Sequence, residues 1–324
     1  MHFQDNIDRP SFIRRPVVFA PLLAVLFLWL AYVGADHWPL LKAVGPAWAE
    51  VTIGHYSRNL VVIGGAALAL GANIWGLSKL GHRAQSMAIW AECFVVVILF
   101  FVSFDLSFTF IARKLWILLS VGLVNTIYIS IVSILLASVL AMVGAIAKLS
   151  SSGIATGIAN FYTSLFRGVP LLMQIYLIYL GLPQIGVIVD AVPAGIAALS
   201  LCYGAYMTEI FRGGIESVPR GQWEAARALG FGNWSTLTRI IVPQALRVII
   251  PPTGNQFIAM LKDSSLVSVV GVWELMYLAR TQGQSEFRHI EMMLTASLIY
   301  WLFSIFLEMI QSRIERHFGR ERVR

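Results

Sequence analysis

The chain of 324 residues is short of charge. Asp, Glu, Lys and Arg make up 13% of it, while 58% is hydrophobic. A soluble globular chain holds about 25% charged and 45–50% apolar residues. A soluble core of this size needs a wetted, charged surface, so an ordinary soluble enzyme and a disordered chain are both excluded. There are two cysteines, Cys93 and Cys202, both within apolar runs. They read as two small buried thiols, and a disulfide-dense secreted scaffold is excluded. No CxxC and no HExxH occurs, and the six histidines are scattered, so nothing supports a metal site. No Gly-Lys dipeptide occurs, so the chain has no P-loop. Ten-residue alternating segments of a membrane β-barrel are also missing. What these absences leave is an all-α polytopic membrane protein.

Eight apolar runs read as spans, at 17–35, 60–77, 87–106, 117–147, 169–188, 193–212, 250–272 and 291–312. The fourth is long enough to tilt or protrude. The stretch 107–116 starts apolar and breaks at Arg113-Lys114. The first run follows Arg9, Arg14 and Arg15. It is longer than the apolar core of a signal peptide and reads as an uncleaved anchor, although Val33-Gly34-Ala35 imitates a cleavage site. The net charge is +7. In a soluble protein that surplus would raise the question of nucleic acid; here it reads as topology. With the N-terminus on the cytoplasmic side, seventeen of the 24 Lys and Arg fall on inside segments, six fall outside, and Lys262 lies within a span. This bias puts both termini in the cytoplasm, as an even number of spans requires.

One inside segment, 213–247, is polar and too long for a tight turn. Pro219 suits the first turn of a helix. Trp223 to Leu229 are mostly helix formers. Gly230 is placed to end that helix in a left-handed conformation. Asn233 and Ser235 suit the start of a second helix that Pro243 limits. The Ala-rich first helix presents little bulk. That suits docking into another protein's groove with Glu224 and Arg227 as polar anchors; an interfacial helix on the membrane is the alternative.

These residues carry a resemblance. Glu224-Ala225-Ala226, Gly230 after three further residues, then Ile240, Val242 and Pro243 resemble the EAA motif of ABC importer permeases. That family usually has Leu where Val242 stands. Arg167-Gly168-Val169-Pro170-Leu171-Leu172-Met173-Gln174 resembles the RGTPLLVQ segment of the polar amino-acid subfamily, the histidine, glutamine, glutamate and arginine type. Glu209 to Ile215 and Leu261 to Leu266 resemble two further segments of that subfamily. The resemblance covers roughly 117–315. It implies a type I importer permease with a core of five helices in a domain over 111–324; it does not reach the first three apolar runs, which make 1–110 an extension with three transmembrane helices whose role the resemblance leaves open. It further implies a second permease subunit, identical or related, and an extracytoplasmic amino-acid-binding protein. A cytoplasmic ATPase would hold ATP and Mg, so this chain binds no cofactor and is not itself an enzyme. Its setting would be the bacterial inner membrane. Glu224, Ala225, Ala226, Arg227 and Gly230 are the ATPase-coupling candidates.

Charges and polar groups within spans mark candidates for a substrate path. Asp263 would meet an ammonium, and Lys262, Ser264 and Ser265 a carboxylate; structural pairing between helices is the alternative. With a helix that starts just after Pro252, Asp263 lies about sixteen ångströms in, near the middle of the bilayer core. Glu209 stands three residues before Arg212, a spacing for a helix-surface pair, and is also a gate candidate. Thr126 and Gln256 complete the set, with Tyr203, Asn125 and Asn255 near them; helix–helix hydrogen bonding is their commoner use. Two rival functions stay open. An ion-coupled secondary transporter would show inverted repeats, and none is seen. An ABC permease for another solute would share the EAA loop but not the RGVPLL and LKDSSL segments.

Overall fold

The computed structural model describes residues 71–102 and 106–319, and no strand occurs among them. The chain forms two compact units, Met1–Leu106 and Ser107–Arg324. In the first unit the principal described element is helix α1 (His82–Val102). Cys93 sits on it and is exposed, not buried as its apolar setting suggested; its neighbours Trp90 and Phe94 are exposed too. The first expected span, which is the N-terminal anchor, and most of the second lie outside the described residues.

The second unit opens with α2 (Phe108–Ile117), whose N-cap Ser107 accepts a hydrogen bond from the Phe110 amide. A π-helical turn, Leu118–Leu123, joins it to α3 (Val124–Leu149) without a break. The stretch 107–116, expected as an interruption, is therefore helical. Its cations are accommodated: Arg113 and Lys114 reach Glu286 at 3.4 and 3.5 Å. Next come α4 (Gly153–Gly168) and α5 (Leu171–Tyr176), the latter extended by π and 3-10 turns to Ile185. The axes on either side of Gly168–Leu171 differ by 105°. α6 (Ala191–Glu216) leads into α7 (Arg220–Ala228), α8 (Asn233–Thr236) and α9 (Val242–Asp263). A 3-10 stretch, Ser264–Val270, precedes α10 (Leu275–Ser285) and α11 (His289–Gly319).

α3 and α6 pack most extensively. On α3 the buried contacts are Ser133, Ala137, Ala141 and Ala145, four residues apart, which puts them on one face. Small residues at that spacing let backbones approach closely, the usual basis of helix association where lipid supplies no hydrophobic drive. Ile129, Leu199, Met207, Ile215 and Ile249 fill the core around that seam.

Three helices of the described residues are long and apolar enough to cross a membrane: Phe108–Leu149, Ala191–Glu216 and His289–Arg316; the bent pair over 153–185 makes a fourth if it counts as one span. The expected span 250–272 differs in outline. Its helix starts at Val242, with Pro243 in the first turn, and runs through Pro251 and Pro252 to Asp263. Asp263 is thus the last residue of a 22-residue helix and not its midpoint. The helix runs on through both prolines, and α11 lies against it there: Gln311 Nε2 donates to Pro251 O at 2.7 Å.

Candidate functional site: a charged cleft and an exposed helical loop

The bend between α4 and α5 is built by its own sequence. Val169 precedes a proline and is extended, at φ −90° and ψ 132°, as the Pro170 ring demands. α4 therefore ends with carbonyls that lack helical partners. Gln174, 4% exposed, answers them: its Nε2 donates to Phe166 O at 2.9 Å and Val169 O at 2.8 Å. The RGVPLLMQ segment is thus a corner with its own brace. No sequence pattern assigns Gln174 this role, because its partners are backbone carbonyls five and eight positions away.

The corner forms one wall of a cleft of about 380 Å³, in the range of small-molecule sites. Arg167 to Leu171 line it from the corner, Cys202, Tyr203 and Tyr206 from α6, and Gln256 and Asp263 from α9. Tyr203 is buried, and its hydroxyl donates to Asp263 Oδ2 at 2.7 Å. The lining carries one carboxylate, Asp263, and one guanidinium, Arg167.

A second cleft, about 460 Å³, lies against the first and shares Arg167, Gly168 and Tyr206 with it. Glu209 is its acid. The pair with Arg212 read from the sequence is present, Arg212 Nε to Glu209 Oε2 at 3.0 Å. Lys148 also donates to Glu209 Oε1, and Arg167 approaches the same oxygen at 3.8 Å. Lys148 and Arg167 stand at the ends of two other helices, so no local pattern pointed to them as partners.

The remaining sequence candidates lie outside the first cleft. Lys262 is exposed and turned away from Asp263, as neighbours about 100° apart on a helix must be. Ser264 is buried and its hydroxyl donates to Leu261 O at 2.8 Å; Ser265 is half-buried. Thr126 is buried between α3 and α10: it donates to Gly122 O at 2.9 Å and accepts from the Leu275 amide at 3.2 Å. Asn125 donates to Trp273 O at 2.7 Å in the same region.

The first helix of the loop after α6 folds as the residue pattern suggested, but the second does not: its N-cap is Gly232, Asn233 and Ser235 lie within it, and it continues through a π turn, Leu237–Ile241, into α9 past Pro243, which sits in a first turn where its missing amide costs nothing. Pro219 is the N-cap of α7. Gly230 adopts φ +81°. The Gly230 amide bonds to Arg227 O and the Phe231 amide to Ala226 O, each at 3.0 Å. That 5→2 and 6→1 pair is a Schellman stop. Ala226 is buried, whereas Glu224, Ala225, Arg227 and Gly230 are exposed. Leu229 and Trp234 are exposed beside them, at 76% and 68%. Gln244 at the start of α9 donates to Gln222 Oε1 of α7 at 3.2 Å, tying the loop to the helix that carries Asp263.

Residues 133–320, which contain both clefts and the loop, match the family described as the binding-protein-dependent transport system inner membrane component. The chain belongs to this family. Relatives of this inner membrane component include the L-cystine transport system permease protein TcyB of Bacillus subtilis, 38% identical over 65% of this chain and 90% of the relative. The arginine transport system permease protein ArtQ of the same organism is 37% identical over 60% and 90%. The putative glutamine transport system permease protein GlnP of Rickettsia typhi is 35% identical over the same shares. Among solved structures, an amino acid ABC transporter crystallised with histidines is 34% identical over 66% of this chain and all of that one, with a TM-score of 0.61. The methionine transporter MetNI, at 18% identity and a TM-score of 0.55, shares the fold. The resemblance read from the four sequence segments holds, and so does the type I permease fold class.

Proposed function

We propose that the chain is the permease subunit of an ABC importer for a polar amino acid, and that the Asp263–Arg167 cleft is the substrate's station within the membrane. The observation that carries the reading is that one carboxylate and one guanidinium line the same small cleft. Charges there are expensive and need a use. An amino acid is a zwitterion, so its ammonium would face Asp263 and Tyr203, and its carboxylate the opposite wall. Gln256 would contact the side chain. The names of the relatives, which cite cystine, arginine and glutamine, support the same substrate class.

The chain has no P-loop, so ATP and its Mg belong to a cytoplasmic ATPase partner. Glu224, Ala225, Arg227 and Gly230 would face that partner with Leu229 and Trp234, while Ala226 and Trp223 fasten the loop to the bundle. A second permease subunit completes the pore by alternating access, and an extracytoplasmic binding protein delivers the substrate. Both termini are cytoplasmic in this reading, and 1–110 is an extension with three transmembrane helices. The test is reconstitution in proteoliposomes with the ATPase and binding protein. Uptake and ATP hydrolysis are measured across a panel of amino acids that includes glutamine, cystine, histidine and arginine. ATP-dependent uptake of at least one of them is expected. Uptake driven by an ion gradient without ATP, or none for any amino acid, refutes the reading.

A further inference from the structure

We propose that Arg167 takes the carboxylate of the transported amino acid, and that it does so by exchanging Glu209 for the substrate. The proposal rests on the amino-acid reading above and adds to it a residue and a switch. Arg167 is the one cation that lines both clefts, facing Asp263 in the first and Glu209 in the second. Its charge is poorly tied. Among the described residues it donates no hydrogen bond: Glu209 Oε1 is 3.8 Å from Nη1, beyond hydrogen-bond reach. Its other contact is the Tyr206 ring, 5.3 Å from the guanidinium carbon. The side chain is 44% exposed, against 10% for Lys148 on the same acid. A guanidinium has five donors in a planar fork that matches a carboxylate. Here that fork stands unfilled at the wall of a cleft whose other wall holds an anion.

Glu209 does not depend on Arg167. Lys148 fills one of its oxygens and Arg212 the other. When Arg167 turns away, Glu209 keeps both other cations, so this half-buried acid is not left without a partner, which would be the main penalty of such a swing. The Tyr206 ring, shared by both clefts, gives the guanidinium an aromatic face along which it can turn. With the first cleft empty, Arg167 leans toward Glu209. With a zwitterion bound at Asp263, the carboxylate outcompetes an acid already neutralised by two other cations. Release toward the second cleft returns Arg167 to Glu209. A helix C-terminal charge that merely complements the dipole of α4 would be the structural use of the same residue, and it would not read a substrate carboxylate.

The experiment compares an amino acid with its α-carboxamide, which keeps the ammonium and side chain and lacks the negative charge. Equilibrium binding to the purified permease–ATPase complex, without binding protein, is measured first for L-glutamine and L-glutaminamide, then for whichever acid the uptake panel selects. Loss of a charge-assisted bond predicts a preference of roughly ten- to a hundredfold for the acid in the wild type. Arg167→Gln should bind acid and amide alike. Arg167→Lys should keep only part of the preference, since a point charge lacks the fork. The proposal is overturned by a wild type without preference, or by a preference undiminished in either variant. If Arg167→Gln fails to assemble with the ATPase on gel filtration, the wild type and Arg167→Lys still decide. Absence of amino-acid uptake would refute the transport reading itself, whereas uptake with a preference independent of Arg167 sinks this inference alone.

Discussion

Replacing Gly230 by alanine isolates the conformational demand of the loop. The glycine has φ +81°, and a Cβ built on it meets nothing within 4 Å. The substitution therefore adds no clash, and its whole effect is the left-handed backbone, roughly 1–2 kcal/mol for a residue with a Cβ. That is about a 5–30-fold shift in the local equilibrium between the closed turn and an open one. The turn holds the amides of Gly230 and Phe231 against the end of α7. α7 has nine residues, below the roughly 12–15 at which an isolated helix is even marginal, so its stop matters to it. Gly232, two positions on, has φ −69°, and Gly232→Ala is the matched control with no left-handed penalty. Asparagine tolerates the left-handed region better than alanine, so Gly230→Asn should fall between the two. The assay is hydrogen exchange of the loop amides on the assembled complex, together with ATP hydrolysed per amino acid imported. Exchange at 230 and 231 should accelerate by the factor given, and the hydrolysis ratio should rise. If Gly230→Ala exchanges and couples like Gly232→Ala, the reasoning from φ is refuted.

Three further outcomes concern Asp263 and Gln174 at the site and Glu274 away from it. Asp263→Asn should impair uptake while the complex still assembles, because the cleft loses its one carboxylate; unchanged uptake kinetics would remove Asp263 from the path. Gln174→Leu strips two carbonyls at the corner of their shared donor. Unpaired buried groups cost about 1–3 kcal/mol each, so the melting temperature in detergent should fall and the KM for uptake should rise; no change in either would show that the corner needs no brace. Glu274 lies in the turn before α10, outside the candidate spans, and burial pushes its carboxyl from 4.5 up to about 7, despite the Met276 and Tyr277 amides and the Tyr300 hydroxyl that favour its charge. An acid raised on folding holds its proton in the folded state where the unfolded chain has lost it. Its stabilisation is complete below about pH 4.5 and is lost as pH rises through 7, for a total of about 3 kcal/mol. Melting temperature should therefore drop between pH 5 and pH 8, and Glu274→Gln should flatten that slope; an equal slope in the variant refutes the assignment.

What could be read in advance was what local rules govern. The stop at Gly230 and the Glu209–Arg212 pair each depend on residues within a few positions of one another. The membrane class followed from composition, and the family followed from ordered segments. Features set by distant contacts were not legible. Lys148 reaches Glu209 across 61 positions, and Thr126 reaches the Leu275 amide across 149, which turns an expected path residue into a bridge between α3 and α10. Pro251-Pro252 read as a helix start because proline removes donors from a helix interior. In the structure α9 nevertheless continues through them, with Gln311 of α11 seated at Pro251.

That continuity bears on how a loop at one end of a helix could govern a cleft at the other. α9 is bonded to α7 through Gln244 and Gln222 at its start, and it presents Gln256 and Asp263 to the cleft near its end. Between them, two prolines withhold the amides that would bond to the carbonyls four residues before, so the middle of the helix is its weakest part. α11 is seated at that point. A Cβ on Gly254 would fall 1.7 Å from Gln311 Oε1, so the glutamine lies directly on the helix backbone. An unbraced double proline would absorb movement of the loop by kinking. A braced one passes it on, since the helix and its neighbour move together. Under the proposed reading, ATPase motion at α7 would therefore reach Asp263 through α9 and α11 as a pair. The cleft would change mainly by displacement of the Gln256–Asp263 wall against the corner at Arg167, which is fixed by its own brace at Gln174.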